Sequence, residues 1–188
     1  MNTWPAFPLV LLREILYNIR WRVIDTMHIV MVEPEIPGNT GNVARLCAAN
    51  KMTLHLVKPL GFSIDDKHLK RAGLDYWHLV DVQVHENFDE VLEKYKGHRF
   101  FYLTTKANQC YADIQFQEDD MLVFGKETKG LPEELLKQYP DSCFRVPMAE
   151  EARSLNLSNT VAIVSYEALR QLGFPGMAKG GVGIDHLT

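Results

Sequence analysis

Cysteine is scarce in this 188-residue chain: Cys47, Cys110 and Cys143 are its only three. They are odd in number, far apart and without Cys-x-x-Cys spacing, which excludes a disulfide framework and a zinc knuckle and fits a reducing compartment. The seven histidines, at 28, 55, 68, 78, 85, 98 and 186, show no His-Glu-x-x-His or related spacing, so no structural metal is expected. Cationic excess is missing too. A formal net charge of −4 rules out a protein that coats nucleic acid through a broad basic surface, while leaving room for a local patch. No apolar run is long enough and free enough of charge to cross a bilayer, and no internal repeat is visible. What is present, 46% hydrophobic and 23% charged residues, is the composition of one folded globular domain.

Residues 1–26 stand apart. Leu9 to Leu12, Ile15, Leu16, Ile19 and Trp21 form an apolar set broken by Pro5 and Pro8, with no basic region before it and no small-residue cleavage site, unlike a signal peptide. Three readings compete: a helix packing on the domain or a partner, a membrane-surface helix, or sequence ahead of a natural start at Met27. The last is preferred, because a clean domain begins at once after it. At the other end, residues 177–188, with Gly180-Gly181-Val182-Gly183, read as a flexible tail.

Between these ends, β-branched runs alternate with helical periodicity, the pattern of an α/β domain with a mostly parallel sheet flanked by helices. Strands are expected at Ile29–Val32, Leu54–Val57, Arg99–Leu103, Met121–Phe124 and Phe144–Val146, with a weaker one near Leu79–Val84. Helices are expected at Val43–Ala49, Asp66–Arg71, Phe88–Tyr95, Pro132–Gln138 and Ser158–Leu172. Ligand crevices in such sheets lie beyond the carboxyl ends of the strands, which gives weight to motifs placed there.

Three motifs are. The first, Pro37-Gly38-Asn39-Thr40-Gly41-Asn42-Val43-Ala44-Arg45, opens a helix, where Asn39 or Thr40 can serve as a plain cap. Arg45, one turn beyond Asn42, exceeds that need and can offer a guanidinium fork to phosphate or an oxyanion. The glycine spacing is not Gly-x-Gly-x-x-Gly, so a Rossmann dinucleotide site is unsupported. The second, Val123 to Pro132, lacks the glycine and hydroxyl of a P-loop; Gly125 would admit close approach of a ligand to the backbone, and Pro132 suits helix position N1. The third, Arg153-Ser154-Leu155-Asn156-Leu157-Ser158-Asn159, precedes an apolar helix. Ser158 alone would cap it, and the remaining polar groups exceed what capping requires. Basic residues fall at Lys67, Lys70 and Arg71, and at Lys126, Lys129, Arg145 and Arg153, each also readable as an ordinary solvated charge.

In this order and spacing, the three motifs resemble those of the SPOUT methyltransferase superfamily over about Met27 to Gly176. Within it, Glu33-Pro34-Glu35-Ile36-Pro37, Asp65-Asp66-Lys67, Arg71-Ala72-Gly73-Leu74-Asp75-Tyr76 and Leu103-Thr104-Thr105-Lys106 are similar to the small tRNA (cytidine/uridine) 2′-O-methyltransferases of the wobble nucleotide. The resemblance implies a SPOUT α/β fold at 27–176 with a C-terminal deep trefoil knot, a homodimer, and a cytoplasmic enzyme. It also implies S-adenosyl-L-methionine as cofactor and tRNA as substrate, bound at the anticodon stem-loop, with leucine isoacceptors expected.

On the same grounds Leu103, Gly125, Glu127, Val146, Met148 and Ser154 are expected around the cofactor, and Arg45, Ser154 and Asn156 in catalysis. RNA would be held by Asn42, Arg45, Lys67, Lys70, Arg71 and Arg153. Arginine keeps its proton, so Arg45 is expected to position phosphate and stabilise developing alkoxide charge rather than act as a base. Glu127 is expected to order the second loop. The alternatives are a ribosomal-RNA 2′-O-methyltransferase of the same superfamily and a non-catalytic RNA-binding module.

Overall fold

The computed structural model describes residues 27–64 and 77–181. The leader, the helix expected at Asp66–Arg71, the basic residues Lys67, Lys70 and Arg71, and the last part of the tail lie outside the described residues. Seven strands form one sheet in the order β3-β2-β1-β6-β4-β7-β5. They are β1 (His28–Val32), β2 (Thr53–Val57), β3 (Val82–His85), β4 (Phe100–Leu103), β5 (Gln109–Cys110), β6 (Met121–Phe124) and β7 (Cys143–Arg145). Every pairing is parallel. The central strands are covered on both faces, β2 and β6 being buried at every residue; β6 is accordingly apolar throughout, while β2 carries Thr53 and His55 among its apolar residues.

Helices α1 (Pro37–Asn50) and α4 (Leu157–Gln171) pack on one face, against Ile29, Met31, Leu54, Leu56, Leu122 and Phe124. On the other, α2 (Phe88–Lys94) and α3 (Glu133–Gln138) cover Val30, Val57, Tyr102 and Val123 through Val91, Leu135 and Leu136. At the tail, Met177 is half-buried against the first core.

Five local expectations need correction. Helix α1 opens at Pro37, not near Val43, so the first motif is the helix itself rather than its approach. Asn39 and Thr40 therefore do not cap it; Ile36 holds the cap position and has no side-chain acceptor. Ser158 lies inside α4, whose cap is Asn156: its side chain accepts from Asn159 N and from Ser158 Oγ. Pro132 is the residue before α3, not its first. The weak strand near Leu79–Val84 resolves into a 3-10 turn at Trp77–Leu79 followed by β3, and the two-residue β5 had no legible pattern.

Candidate active site

The carboxyl ends of β4, β6 and β7 open on a cleft of about 560 Å³. Its floor is apolar, built from Leu103, Phe124, Val146, Met148 and Leu157, and its rim is polar, carrying Thr104, Thr105, Thr128, Lys129, Arg153 and Ser154. Every residue expected around a cofactor lines it: Leu103, Gly125, Glu127, Val146, Met148 and Ser154. Arg153 and Asn156 line it as well. Asn42 and Arg45 do not; both are exposed along α1.

Hydrogen bonds tie the three motifs into one frame. Glu127 accepts from the backbone N–H of Glu35 at 2.8 Å and of Ile36 at 3.2 Å, and from Asn39 Nδ2 at 3.0 Å. A carboxylate from a loop 91 residues away thus does what the helix's own cap position cannot, placing negative charge where the N-terminal end of α1 favours it. Asn39 Oδ1 then accepts from Asn156 Nδ2 at 3.0 Å, and Asn156 caps α4. Asn39, outside the expected site residues, is the central member. It had been read as a local cap, and only the tertiary structure shows the two remote partners that occupy its amide.

Reciprocal contacts brace the loops. Glu35 accepts from Thr128 N at 3.0 Å and from Thr128 Oγ1 at 2.8 Å. Lys126 donates to Glu33, and this bond holds the Lys126 ammonium above its ordinary pKa. Both Glu127 oxygens are committed to this brace, in keeping with a role in ordering the loop.

Gly125, which lines the cleft, is also required by the fold of its own loop. A Cβ there would stand 2.2 Å from Leu131 N and 2.4 Å from Gly130 C, so the loop's own returning backbone approaches this glycine closely. The return is made by Gly130, at φ +70°, whose N–H donates to Lys126 O at 3.0 Å.

The sheet's strand ends thus hold a loop-built cleft framed by the three motifs. The model of the SpoU rRNA Methylase family matches residues 26–166, and the chain belongs to that family. It is 54% identical over 149 residues to the tRNA (cytidine(34)-2′-O)-methyltransferase of Methylovorus glucosotrophus, covering 79% of this chain and 97% of that one. A solved structure described as giving insights into the 2-OH methylation of C/U34 on tRNA superposes with a TM-score of 0.75 at 45% identity, over 79% of this chain and 97% of that chain. The SpoU methyltransferase AviRb from Streptomyces viridochromogenes, in complex with AdoMet, shares the fold at a TM-score of 0.70 and 24% identity, over 79% of this chain and 58% of that one.

Proposed function

We propose that the chain transfers a methyl group from S-adenosyl-L-methionine to the ribose 2′-oxygen of the wobble nucleotide of tRNA, a cytidine or modified uridine, with leucine isoacceptors as substrates. The observation that carries this reading is near-full-length similarity to relatives named for cytidine 34, combined with a cleft that gathers every residue expected around the cofactor. The family model's description names rRNA, which keeps ribosomal RNA as a second reading. Against it, the relative named for cytidine 34 is 54% identical and matched over 97% of its length.

The cleft suits the cofactor: Leu103, Val146, Met148 and Leu157 supply an apolar seat for a purine, and Ser154 and Thr104 offer hydroxyls at its edge. The cofactor supplies an electrophilic methyl group on a sulfonium. The protein's part is to orient the ribose hydroxyl and to exclude water, which favours a reaction in which opposite charges are lost. Arg45 stabilises charge developing on the ribose oxygen, Asn42 and Arg153 hold RNA, and Asn156 and Ser154 orient cofactor or ribose.

The methyltransferase domain is assigned to 27–176, working in the cytoplasm as a homodimer with its C-terminal part threaded as a trefoil knot. Two features support that assembly: β7 enters the sheet between β4 and β5, which precede it in sequence, and α4 leaves Ile163 and Tyr166 exposed as an apolar patch for a partner. Incubation with labelled cofactor and total tRNA, followed by mass-spectrometric mapping, is expected to place the label on the wobble ribose. Label in ribosomal RNA alone, or in no RNA, would overturn the reading.

A further inference from the structure

Cations and acids around the cleft divide unevenly. Four cationic side chains line it, Lys106, Lys126, Lys129 and Arg153. Lys106 is paired with Glu133, and Lys126 with Glu33. Of the other nearby acids, Glu127 is held by backbone N–H groups and Asn39, and Glu35 by Thr128. Lys129 and Arg153 are exposed, and neither has an ion-pair partner among the described residues. The carboxylates of Glu150 and Glu151 are exposed on the approach to Arg153 but do not line the cleft.

Lys129 also has a fixed base. It stands near the tip of a turn closed by the Lys126–Gly130 backbone bridge and pinned on its near side by the bonds from Thr128 to Glu35. A long flexible side chain on a rigid turn places a point charge over a limited surface with little backbone ordering left to do on binding.

We infer that Lys129 and Arg153 form a two-cation clamp for the RNA backbone, each holding a phosphate beside the target ribose across the mouth of the cleft. This rests on the tRNA reading above and adds Lys129 as a positioning residue. Lys129 stands on the loop after β6 and Arg153 on the loop before α4, and both line the cleft, so a phosphodiester strand entering it can meet both. Lys106 and Lys126, already neutralised by carboxylates, serve the loops instead.

The test is tRNA binding measured against salt concentration for the wild type, Lys129→Gln, Arg153→Gln, the double variant and Lys137→Gln. Lys137 is an exposed lysine on α3, paired with Glu134 and outside the lining of the cleft. Each phosphate contact removed is expected to lower the magnitude of the log–log salt slope by roughly 0.7–0.9, and the double variant by about twice that. Lys129→Arg restores the slope and Lys137→Gln leaves it unchanged. Cofactor affinity, read by calorimetry, stays at the wild-type value throughout, and KM for tRNA rises while kcat holds. A wild type that binds and methylates tRNA, with an unaltered slope in Lys129→Gln, overturns the clamp alone. A reduced slope in an enzyme that labels no tRNA sustains the clamp and overturns the reaction assigned above.

Discussion

Asn156 Nδ2 donates to Asn39 Oδ1 at 3.0 Å across 117 residues of sequence, fastening the cap of one helix to the first turn of another. Because Asn39 Nδ2 is held at the same time by Glu127, a single amide joins the three loops that frame the cleft.

Replacing that amide should therefore damage cofactor binding more than folding. Asn39→Ala removes both bonds and leaves Asn156 Nδ2 without its acceptor, a loss of about 1–3 kcal/mol for a pair of part-buried groups. Calorimetry is expected to show cofactor affinity reduced by at least about tenfold, with thermal unfolding still cooperative. Wild-type affinity in Asn39→Ala would mean that the loops keep their places without it.

Two glycines should respond oppositely to alanine. Gly125→Ala sets a methyl group 2.2 Å from Leu131 N, on backbone that has no room to yield, so the loop opens and both stability and cofactor binding fall. Gly38 lies in the first turn of α1 with nothing within 4 Å of an added Cβ. Gly38→Ala should be neutral or stabilising by up to about 1 kcal/mol, as expected for alanine in a helix. Chemical denaturation of the two variants checks the contrast, and equal losses would refute it.

These positions also mark how far the sequence was legible. The strands β1, β2 and β6 declared themselves because strands covered on both faces are rich in branched apolar residues, and the walls of the cleft followed from where the sheet's strands end. The tie between Asn39, Glu127 and Asn156 did not, since an asparagine near a helix start has a local use as a cap and nothing local says that a remote carboxylate has taken that place. Gly125 showed that backbone crowds there without showing whose. The two-residue β5 is set by its pairing with β7, a tertiary fact with no periodicity to betray it.

Acid should weaken the fold through a row of imidazoles crossing β1, β2 and β3. His55 lies between His28 and His85, its ring nitrogens 2.8 Å from His28 Nδ1 and 3.0 Å from His85 Nε2. Burial, then the charges of His28, His85 and Lys94, push the His55 pKa down to about 2. His85 is lowered by burial and Lys94, with Glu90 opposing. The His55 ring stays neutral when folded and the His85 ring is held below its ordinary value, whereas unfolding frees both to take a proton at about pH 6.5. The unfolded state then binds more protons, so stability is full above about pH 6.5 and falls as pH drops, by up to about 1.4 kcal/mol per unit from His55, with His85 adding in the same direction. Urea midpoints between about pH 7 and 5 should shift downward, and less steeply in His55→Asn. A flat profile would show that the imidazoles protonate in place.

Arg45 supplies the sharpest test of the division between holding the cofactor and activating the ribose. It is exposed on α1 and outside the lining of the cleft, so its removal should leave cofactor affinity untouched. As the group proposed to stabilise charge on the attacking oxygen, it should act on the chemical step, where loss of such a donor costs about 10²–10³ in rate. Single-turnover methylation by Arg45→Ala, with saturating cofactor and tRNA, should be slower by that factor, and Arg45→Lys should recover part of it by restoring charge without the fork. A near-normal single-turnover rate in Arg45→Ala would remove Arg45 from the chemistry and leave it, at most, a contact to the RNA backbone. A fall in cofactor affinity of similar size would instead place it in the frame held by Asn39.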